Sequence, residues 1–314
     1  MRAYFIQSSG GKTVLESRDV PKPQPAQGQL LVRVRAAGLN RGEFIAGHGL
    51  TKAGAAKPAG NEAAGEAVDT GKRVMGRCPG AFAEYALMDA REAIEIPAKL
   101  TWEEAAAIPL TFMVVHDMLL EQGGLKAGEW LLVTGVSSGV GVAALQAAKA
   151  LGARVIGTSG SAAKLERLKT LGLDVGLQTR GADFHDAVMQ ATGGKGANLA
   201  INTVGGSVFP ACVRAAAFEG RIAIVGYVDG VLKTEFDLEA VHSKRLRIFG
   251  VSNKLRNAEQ RAGTVRGFIA DFLPLFDGGH IKPLIDRVFP FGELPQAKTY
   301  MESDAHVGKI VLRV

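Results

Sequence analysis

The residues whose types and spacing point most directly to chemistry form a glycine-rich turn near the middle of the chain. The apolar run Leu131–Thr134 leads straight into this turn, and a helix-like stretch follows it. Glycines let a backbone approach a pyrophosphate closely, and the first turn of a helix offers N–H groups and the positive end of a dipole. We therefore predict a nucleotide-binding loop, with cofactor contacts from Gly135, Ser137, Ser138, Gly139, Val140 and Gly141. A tight strand–helix turn that binds no ligand is the alternative.

The end of the next β-like run, Arg154–Thr158, indicates which nucleotide is bound. An acidic residue at this place usually holds the ribose 2′-hydroxyl of NAD, but this chain has a serine there. Because no carboxylate repels a 2′-phosphate, hydroxyl and cationic side chains can bind one. The candidates for this role are Ser159, Ser161, Lys164 and Arg180. The sequence therefore favours NADPH over NADH.

Alternating β-like and helix-like runs indicate the framework that positions these residues. The predicted strands are Trp130–Thr134, Arg154–Thr158, Val175–Leu177, Leu199–Asn202, Arg221–Val225 and Leu246–Val251. The predicted helices are Val140–Leu151, Ala162–Leu171, Phe184–Thr192 and Ser207–Phe218. Such alternation is typical of an α/β fold with a doubly wound parallel sheet, which binds ligands at the carboxyl ends of its strands. Further cofactor contacts are predicted at those ends, from Asn202, Val225, Gly226 and Gly250.

The two ends of the chain differ from this middle part. Up to about Thr111 the sequence has short β-like runs separated by glycine and proline, which predict a mostly antiparallel unit. Beyond the parallel sheet, one helix is predicted over Glu259–Phe276 and a closing strand over Lys309–Val314. A chain of 314 residues is long enough for two domains.

Composition excludes several classes of partner. The net charge of +6 comes from 37 basic and 31 acidic residues, an excess too small to require nucleic acid. The longest apolar stretch, Ala105–Val115, is interrupted by Pro109 and is too short for a membrane span. Two distant cysteines, and an N-terminus without the pattern of a signal peptide, favour a cytoplasmic protein.

Six short motifs accompany the glycine-rich loop in a fixed order. They are Ala36–Asn40, Pro58–Glu62, Gly71–Val74, Phe82–Tyr85, Glu104–Pro109 and Val307–Val311. With the loop, they make nearly the whole chain resemble the medium-chain dehydrogenase/reductase superfamily, in its zinc-free, quinone oxidoreductase-like branch. The resemblance implies a GroES-like, mostly-β substrate domain (residues 1–111 and 253–314) plus a Rossmann NADPH-binding domain (residues 112–252). It also implies a cofactor in the cleft between the domains and a homodimer formed through the Rossmann domain.

The resemblance adds detail to the expected 2′-phosphate site. The family motif Gly-Thr-x-x-Ser/Thr-x-x-Lys is matched by Gly157, Thr158, Ser161 and Lys164. The tyrosine that usually follows is replaced by Thr179, with Arg180 beside it, so the phosphate site is expected to be rebuilt around different donors.

The same comparison predicts that no metal is bound. Zinc-dependent members carry cysteine and histidine where this chain has Asn40 and Asn61, and amide oxygens are poor zinc ligands beside thiolate and imidazole. Without a Lewis acid to stabilise an alkoxide, reduction of an activated acceptor is favoured over alcohol oxidation. The expected substrate is a small-molecule quinone or α,β-unsaturated carbonyl, which receives a hydride from NADPH.

Two residues are candidates for catalysis. By resemblance, Asn40 faces the cleft, where its amide would hydrogen-bond the acceptor oxygen. His48, in the loop Gly47–Gly49, is the second candidate, as a proton donor or substrate contact. Glu62 is expected to have a structural role.

The sequence has two rival interpretations. The loop also resembles that of short-chain dehydrogenases, but none of the four tyrosines is followed four residues later by the lysine that this family requires. A non-catalytic NADPH-binding sensor or structural protein on the same fold stays open, because the sequence contains no sharp catalytic motif.

Overall fold

The computed structural model describes residues 1–9, 12–45 and 55–314. The chain divides into two compact units, one formed by residues 1–113 with 256–314 and the other by residues 114–255. Each unit has its own apolar core.

The N-terminal part of the first unit is mostly antiparallel. Its strands are β1 (Arg2–Ser9), β2 (Lys12–Asp19), β3 (Gln29–Gly38), β4 (Lys57–Pro58), β5 (Glu62–Ala67), β6 (Arg73–Arg77), β7 (Tyr85–Asp89) and β8 (Ala93–Glu95). A 3-10 turn, Arg41–Glu43, follows β3. Two helices, α1 (Trp102–Ala106) and α2 (Pro109–His116), come next. Helix α2 crosses the boundary after residue 113, so the π-helical turn at Asp117–Glu121 belongs to the second unit.

The second unit alternates strictly between strand and helix. Its strands are β9 (Trp130–Thr134), β10 (Arg154–Ser159), β11 (Val175–Gln178), β12 (Ala197–Asn202), β13 (Ala216–Ile224) and β14 (Arg247–Gly250). Its helices are α3 (Gly139–Ala150), α4 (Ala162–Lys169), α5 (His185–Ala191), α6 (Phe209–Ala215) and α7 (Leu238–Ser243). The strands pair in parallel in the order β11-β10-β9-β12-β13-β14. Numbered within this unit, the order is 3-2-1-4-5-6, that of a dinucleotide-binding sheet.

The C-terminal part returns to the first unit. Its elements are α8 (Ala258–Asp271), α9 (Leu273–Asp277), β15 (Ile285–Pro290), α10 (Leu294–Glu302) and β16 (Lys309–Arg313). β16 pairs antiparallel with β3, opposite Ala36–Gly38, and parallel with β15. Residues from the two ends of the chain therefore meet at the end of β3.

The predicted fold class is confirmed, since a parallel Rossmann-like sheet and an antiparallel unit are both present. The helix predicted over Glu259–Phe276 is two helices, which break at Phe272. Pro274 explains the break, because proline has no N–H to donate and its ring clashes with the preceding turn of a helix. The helix predicted to reach Phe218 ends at Ala215, where β13 begins. None of the helices formed by the described residues is both long and apolar enough to cross a bilayer.

Candidate functional site

The glycine-rich loop leaves the carboxyl end of β9 and enters α3. Ser138 is the N-cap of α3, and its Oγ accepts a hydrogen bond from Gly141 N at 3.0 Å. Gly135 has a φ of +68°, a left-handed conformation that favours glycine. A β-carbon on Gly141 would lie 2.5 Å from the carbonyl oxygen of Gly135, so the loop and the helix pack too closely for a side chain there.

The amides at the start of α3 are available to an anion. The N–H groups of Gly139 and Val140 have no acceptor within the described part of the chain, because α3 begins at Gly139 and Ser138 caps only Gly141. Unsatisfied N–H groups at the positive end of a helix dipole form a phosphate-binding arrangement. The loop predicted from the sequence therefore leaves two N–H groups that can donate to an anion.

Hydroxyl and cationic residues gather at the carboxyl ends of β10 and β11. The hydroxyls of Ser137 and Ser159 are hydrogen-bonded at 3.3 Å, and Ser161 caps α4 by accepting from Lys164 N at 3.4 Å. Arg180 lies across Gly160, where an added β-carbon would collide with the guanidinium Nε. This group of side chains suits a phosphate monoester on a ribose.

Next to this group, Thr179 and Asp183 are hydrogen-bonded to each other. The amide of Thr179 donates to the carbonyl oxygen of Ser159 at 3.1 Å, and its hydroxyl donates to Asp183. The carboxylate of Asp183 is therefore already engaged by a hydroxyl.

Two predicted cofactor contacts use their side chains inside the protein. Thr158 Oγ1 accepts a hydrogen bond from Gly135 N at 3.1 Å and so shapes the phosphate loop. Asn202 is buried; its Nδ2 donates to Gly205 O, and its Oδ1 accepts from the amides of Val204 and Gly205. Both side chains are therefore engaged with the backbone of the protein itself.

The remaining predicted contacts lie at the carboxyl ends of β13 and β14. The amides of Val225 and Gly226 donate to the carbonyl oxygen of Asn202, at 3.0 and 3.4 Å. The carbonyl oxygen of Gly250 accepts from Gln122 Nε2 at 3.2 Å. These backbone groups are therefore already engaged within the second unit, and the three residues bring no charge to this end of the sheet.

In the first unit, Asn40 belongs to a buried polar cluster that we call the carboxyl cluster: Asn40, Glu43, Asn61, Glu62 and Lys309. Asn40 Nδ2 donates to Glu43 Oε1 at 3.1 Å and to Glu62 Oε1 at 2.9 Å. The ammonium of Lys309 donates to Glu62 Oε1 at 2.7 Å, to Asn40 Oδ1 at 3.0 Å and to Leu39 O at 3.0 Å. Glu62 Oε2 accepts from Leu110 N, so this carboxylate is held on both oxygens, in keeping with a structural role.

Burial shapes the electrostatics of the carboxyl cluster. Glu62 is 0% exposed, Glu43 4% and Lys309 5%. Burial raises the pKa of Glu43 from its usual 4.5 to about 7; hydrogen bonds from Asn40 and Asn61 and the charge of Lys309 act to lower it, and the neighbouring Glu62 raises it. Glu43 also lines a cavity of about 290 Å³ in this unit, together with Asn61 and several apolar residues.

Only one of the two predicted catalytic residues lies in the described part of the chain. Asn40 is half-buried at the edge of the carboxyl cluster, whereas His48 lies outside the described residues. Sequence reasoning missed Glu43 and Lys309 as members of a site. Glu43 follows Asn40 by three residues, and Lys309 lies in the motif Val307–Val311, but nothing local to either residue indicated that they meet.

No group of three or more His, Cys, Asp or Glu residues with a geometry suited to a metal ion occurs within residues 1–9, 12–45 and 55–314. Cys78 and Cys212 are buried free thiols, and burial raises the pKa of each to about 12. Neither thiol is therefore a reactive nucleophile at neutral pH.

The known families and curated proteins that are similar to this chain include oxidoreductases and larger synthases. The family model described as zinc-binding dehydrogenase matches residues 139–264. A phenolphthiocerol/phthiocerol polyketide synthase protein of Mycobacterium tuberculosis is 29% identical over 320 residues, which cover 98% of this chain. This chain spans only 14% of the length of that synthase protein.

Three solved structures are similar over essentially their whole length. Mycobacterial Rv1454c complexed with NADPH has a TM-score of 0.89 and 27% identity, and all of each chain is covered. The quinone oxidoreductase of Thermus thermophilus, also solved with NADPH, has a TM-score of 0.85 and 26% identity, again with full coverage of both chains. The CurK enoyl reductase has a TM-score of 0.85 and 25% identity, with 99% of each chain covered.

These similarities extend through both units and agree with the sheet order and the phosphate loop. The family model covers most of the parallel-sheet unit, and the solved structures add the antiparallel unit. The resemblance to the medium-chain dehydrogenase/reductase superfamily is therefore confirmed, and the similar solved structures include quinone oxidoreductases and an enoyl reductase.

Proposed function

We propose that the chain is an NADPH-dependent reductase that transfers a hydride to a quinone or an α,β-unsaturated carbonyl without a metal. The observation that carries this proposal is the pairing of an anion-binding loop with a cationic, hydroxyl-rich group at the end of β10. The similar proteins solved with NADPH support the same cofactor. The nicotinamide supplies the hydride, and the chain supplies binding, orientation and electrostatics.

The residues of the second unit account for cofactor binding and selectivity. The amides of Gly139 and Val140 bind the pyrophosphate at the start of α3. Ser159, Lys164 and Arg180 bind the 2′-phosphate with hydroxyl, ammonium and guanidinium donors. NADPH therefore binds more tightly than NADH, because NADH lacks the 2′-phosphate dianion that these groups recognise.

The donor set of the carboxyl cluster supports metal-free chemistry. Both amide hydrogens of Asn40 are donated to carboxyl groups, and its Oδ1 accepts from Lys309. An ammonium bonded to both Glu62 and Asn40 repels a second cation at the same place. Asn40 remains the proposed contact of the acceptor oxygen. To donate to that oxygen, its amide would give up one of its present hydrogen bonds to a carboxyl group.

An enoyl thioester is a second candidate acceptor within the same chemistry. It is favoured by the similarity to a polyketide synthase and to an enoyl reductase. Like an enone, an enoyl thioester accepts a hydride at its β-carbon and a proton at its α-carbon, so the same residues serve both.

The proposal is tested by following the absorbance of NADPH, and separately of NADH, with 1,4-benzoquinone, 9,10-phenanthrenequinone, a 2-alkenal and an enoyl thioester, with and without chelator. We expect NADPH consumption that the chelator does not change, and the ranking of acceptors identifies the substrate class. NADPH binding without turnover on any acceptor would favour the sensor interpretation. Loss of activity on chelation would contradict the metal-free mechanism.

A further inference from the structure

We propose that Gly160 determines the preference for NADPH, because the missing side chain at this position lets Arg180 lie across the turn between β10 and α4 and bind the 2′-phosphate there. This inference rests on the proposed function and names the residue that places one of its phosphate donors. Gly160 is a positioning residue, since it acts on the cofactor only through the guanidinium of Arg180.

The backbone of Gly160 does not require glycine. Its φ lies outside the positive range in which other glycines of the chain, such as Gly135, are found. Gly160 is also exposed, so no packing in the core excludes a side chain there. The position is therefore one that most residues could occupy if only the local backbone mattered.

The side chain of Arg180 occupies the space that a side chain on Gly160 would fill. The three atoms nearest to an added β-carbon all belong to Arg180: Nε is the nearest, and Cγ and Cδ follow at 2.7 and 3.0 Å. Side-chain carbons do not come this close to other atoms, so residue 160 can carry a β-carbon only if Arg180 moves away.

The backbone that carries Arg180 is tied to β10. β11 pairs in parallel with β10, with Gln178 opposite Ser159. The amide of Thr179 continues this pairing by donating to the carbonyl oxygen of Ser159 at 3.1 Å. The residues that follow, Arg180 and Gly160, are therefore held side by side.

The charge of Arg180 is available to a ligand. The carboxylate closest to it in the sequence, that of Asp183, accepts a hydrogen bond from the hydroxyl of Thr179. Within residues 1–9, 12–45 and 55–314, the exposed guanidinium of Arg180 forms no ion pair or hydrogen bond with a side chain. A guanidinium binds a phosphate through two parallel N–H donors, and here both remain unused.

The turn that Arg180 crosses also carries the hydroxyl donors. Ser159 ends β10 and Ser161 caps α4, so their hydroxyls flank Gly160. A 2′-phosphate bound at these hydroxyls lies beside the guanidinium. Because Arg180 is already laid across the turn, less side-chain freedom is lost on binding, and more of the interaction appears as affinity. NADH has no 2′-phosphate and gains nothing from this arrangement.

Two nucleotides without nicotinamide isolate the phosphate contact. Adenosine 2′,5′-bisphosphate and 5′-AMP differ only in the 2′-phosphate, and calorimetric titration of the full chain measures the Kd of each. We expect Gly160→Ala to raise the Kd of the bisphosphate about tenfold, because the added methyl group drives Arg180 off the turn. The Kd of 5′-AMP should not change. A merely structural role of Gly160 would weaken both nucleotides alike.

Gly181→Ala is the matched control. Gly181 follows Arg180 directly, is exposed, and also has a φ outside the positive range. Apart from its chain neighbours, the atom nearest to an added β-carbon is Asp183 Oδ1 at 3.4 Å, an ordinary contact. This substitution should change neither Kd. A loss of bisphosphate binding equal to that of Gly160→Ala would overturn the inference.

A double variant tests whether Gly160 acts through Arg180. Arg180→Ala alone should raise the Kd of the bisphosphate about tenfold. Adding Gly160→Ala to this protein should change the Kd no further, because the side chain that the methyl group displaces is already gone. Additive effects of the two substitutions would overturn the inference.

The wild type supplies a test that does not depend on the folding of Gly160→Ala. The side-chain Nε–H resonance of Arg180, assigned by its loss in Arg180→Ala, should shift on saturation with the bisphosphate and not with 5′-AMP. Absence of that shift would overturn the inference. Bisphosphate binding that depends on both Gly160 and Arg180, in a protein that reduces no acceptor, would support the inference while overturning the proposed reduction.

Discussion

The ammonium of Lys309, which lies on β16, connects the end of β3 with the start of β5. It donates to the backbone after β3, to Asn40, and to Glu62 at the start of β5. All three of its hydrogens are therefore used on acceptors within this unit. Its loss would leave the carboxylate of Glu62 buried without a counter-charge, which is the most damaging form of a broken ion pair.

We expect Lys309→Met to lower the free energy of unfolding by about 3–5 kcal/mol, as measured by urea denaturation. The matched control is Lys298→Met, whose partner Glu302 is half exposed on the same helix. That change should cost less than about 1 kcal/mol, because exposed ion pairs contribute little. Equal effects of the two substitutions would show that the carboxyl cluster does not stabilise the fold as described.

The raised pKa of Glu43 predicts a pH dependence of stability with a definite sign. The folded protein holds this proton up to about pH 7, whereas an unfolded carboxyl loses it near 4.5. Stability from this group is therefore fully present below pH 4.5 and is lost as pH rises to about 7. The groups that face Glu43 and set this value are Asn40, Asn61, Glu62 and Lys309.

Unfolding by urea across this pH range, in wild type and in Glu43→Gln, isolates the effect. The difference in the free energy of unfolding between the two proteins should change by roughly 3 kcal/mol across this range, since each pKa unit corresponds to about 1.4 kcal/mol. Other carboxyls titrate alike in both proteins and cancel. A constant difference across the range would contradict the burial-raised pKa.

At the level of the elements, the proposed selectivity for NADPH depends on the carboxyl ends of β10 and β11. We expect Arg180→Ala and Lys164→Ala each to raise the Kd for NADPH about tenfold and to leave that for NADH nearly unchanged, because each removes a charged donor to the 2′-phosphate. Fluorescence titration of the bound nicotinamide measures both constants.

Lys169→Ala is the control for this prediction. Lys169 lies at the other end of α4, where its ammonium is ion-paired with Glu166. Its loss should change neither Kd. Equal weakening of NADPH and NADH binding by Arg180→Ala would contradict the assigned 2′-phosphate contact.

The second unit was largely predictable from its sequence, because its signals are local. The run Leu131–Val133 is completely buried, as expected for a strand in a parallel sheet covered on both faces. The glycine-rich loop follows it directly, and α3 begins within one residue of the predicted Val140. Helix ends were less predictable, as Pro274 shows, because proline and tertiary packing decide where a periodic stretch stops.

The carboxyl cluster could not be predicted in the same way. Lys309 and Asn40 are 269 residues apart and meet only because β16 pairs with β3. The resemblance set Asn40 and Asn61 at the positions of the family's zinc ligands but gave no pairing for Glu43. A buried carboxyl is recognised from its surroundings, and those are set by the fold rather than by neighbouring residues.

At the scale of the whole molecule, we propose a homodimer formed along β14. This strand is the edge of the parallel sheet, and an edge strand offers unpaired N–H and C=O groups to a second copy. Ile248 on this strand and Ile224 on the neighbouring β13 are exposed apolar side chains. Exposed apolar groups at a sheet edge are typical of an interaction surface.

Sedimentation analysis should therefore give a dimer for the wild type and a shift toward monomer for Ile248→Lys, since a charge on the edge strand opposes pairing. Ile269→Lys is the matched control, because Ile269 is as exposed as Ile248 (38% and 37%) but lies on α8 in the other unit. A monomeric wild type, or equal dissociation by both substitutions, would contradict this interface.

Metal-free hydride transfer from NADPH to an activated acceptor is most directly tested by isotope transfer. The protein, with chelator present, is supplied with NADPH deuterated at the transferable position of nicotinamide C4 and with a 2-alkenal, and the product is analysed by mass spectrometry and NMR. We expect one deuterium per product molecule, at the β-carbon, and a solvent-derived proton at the α-carbon. Product without deuterium at the β-carbon, or activity only when metal is restored, would contradict it.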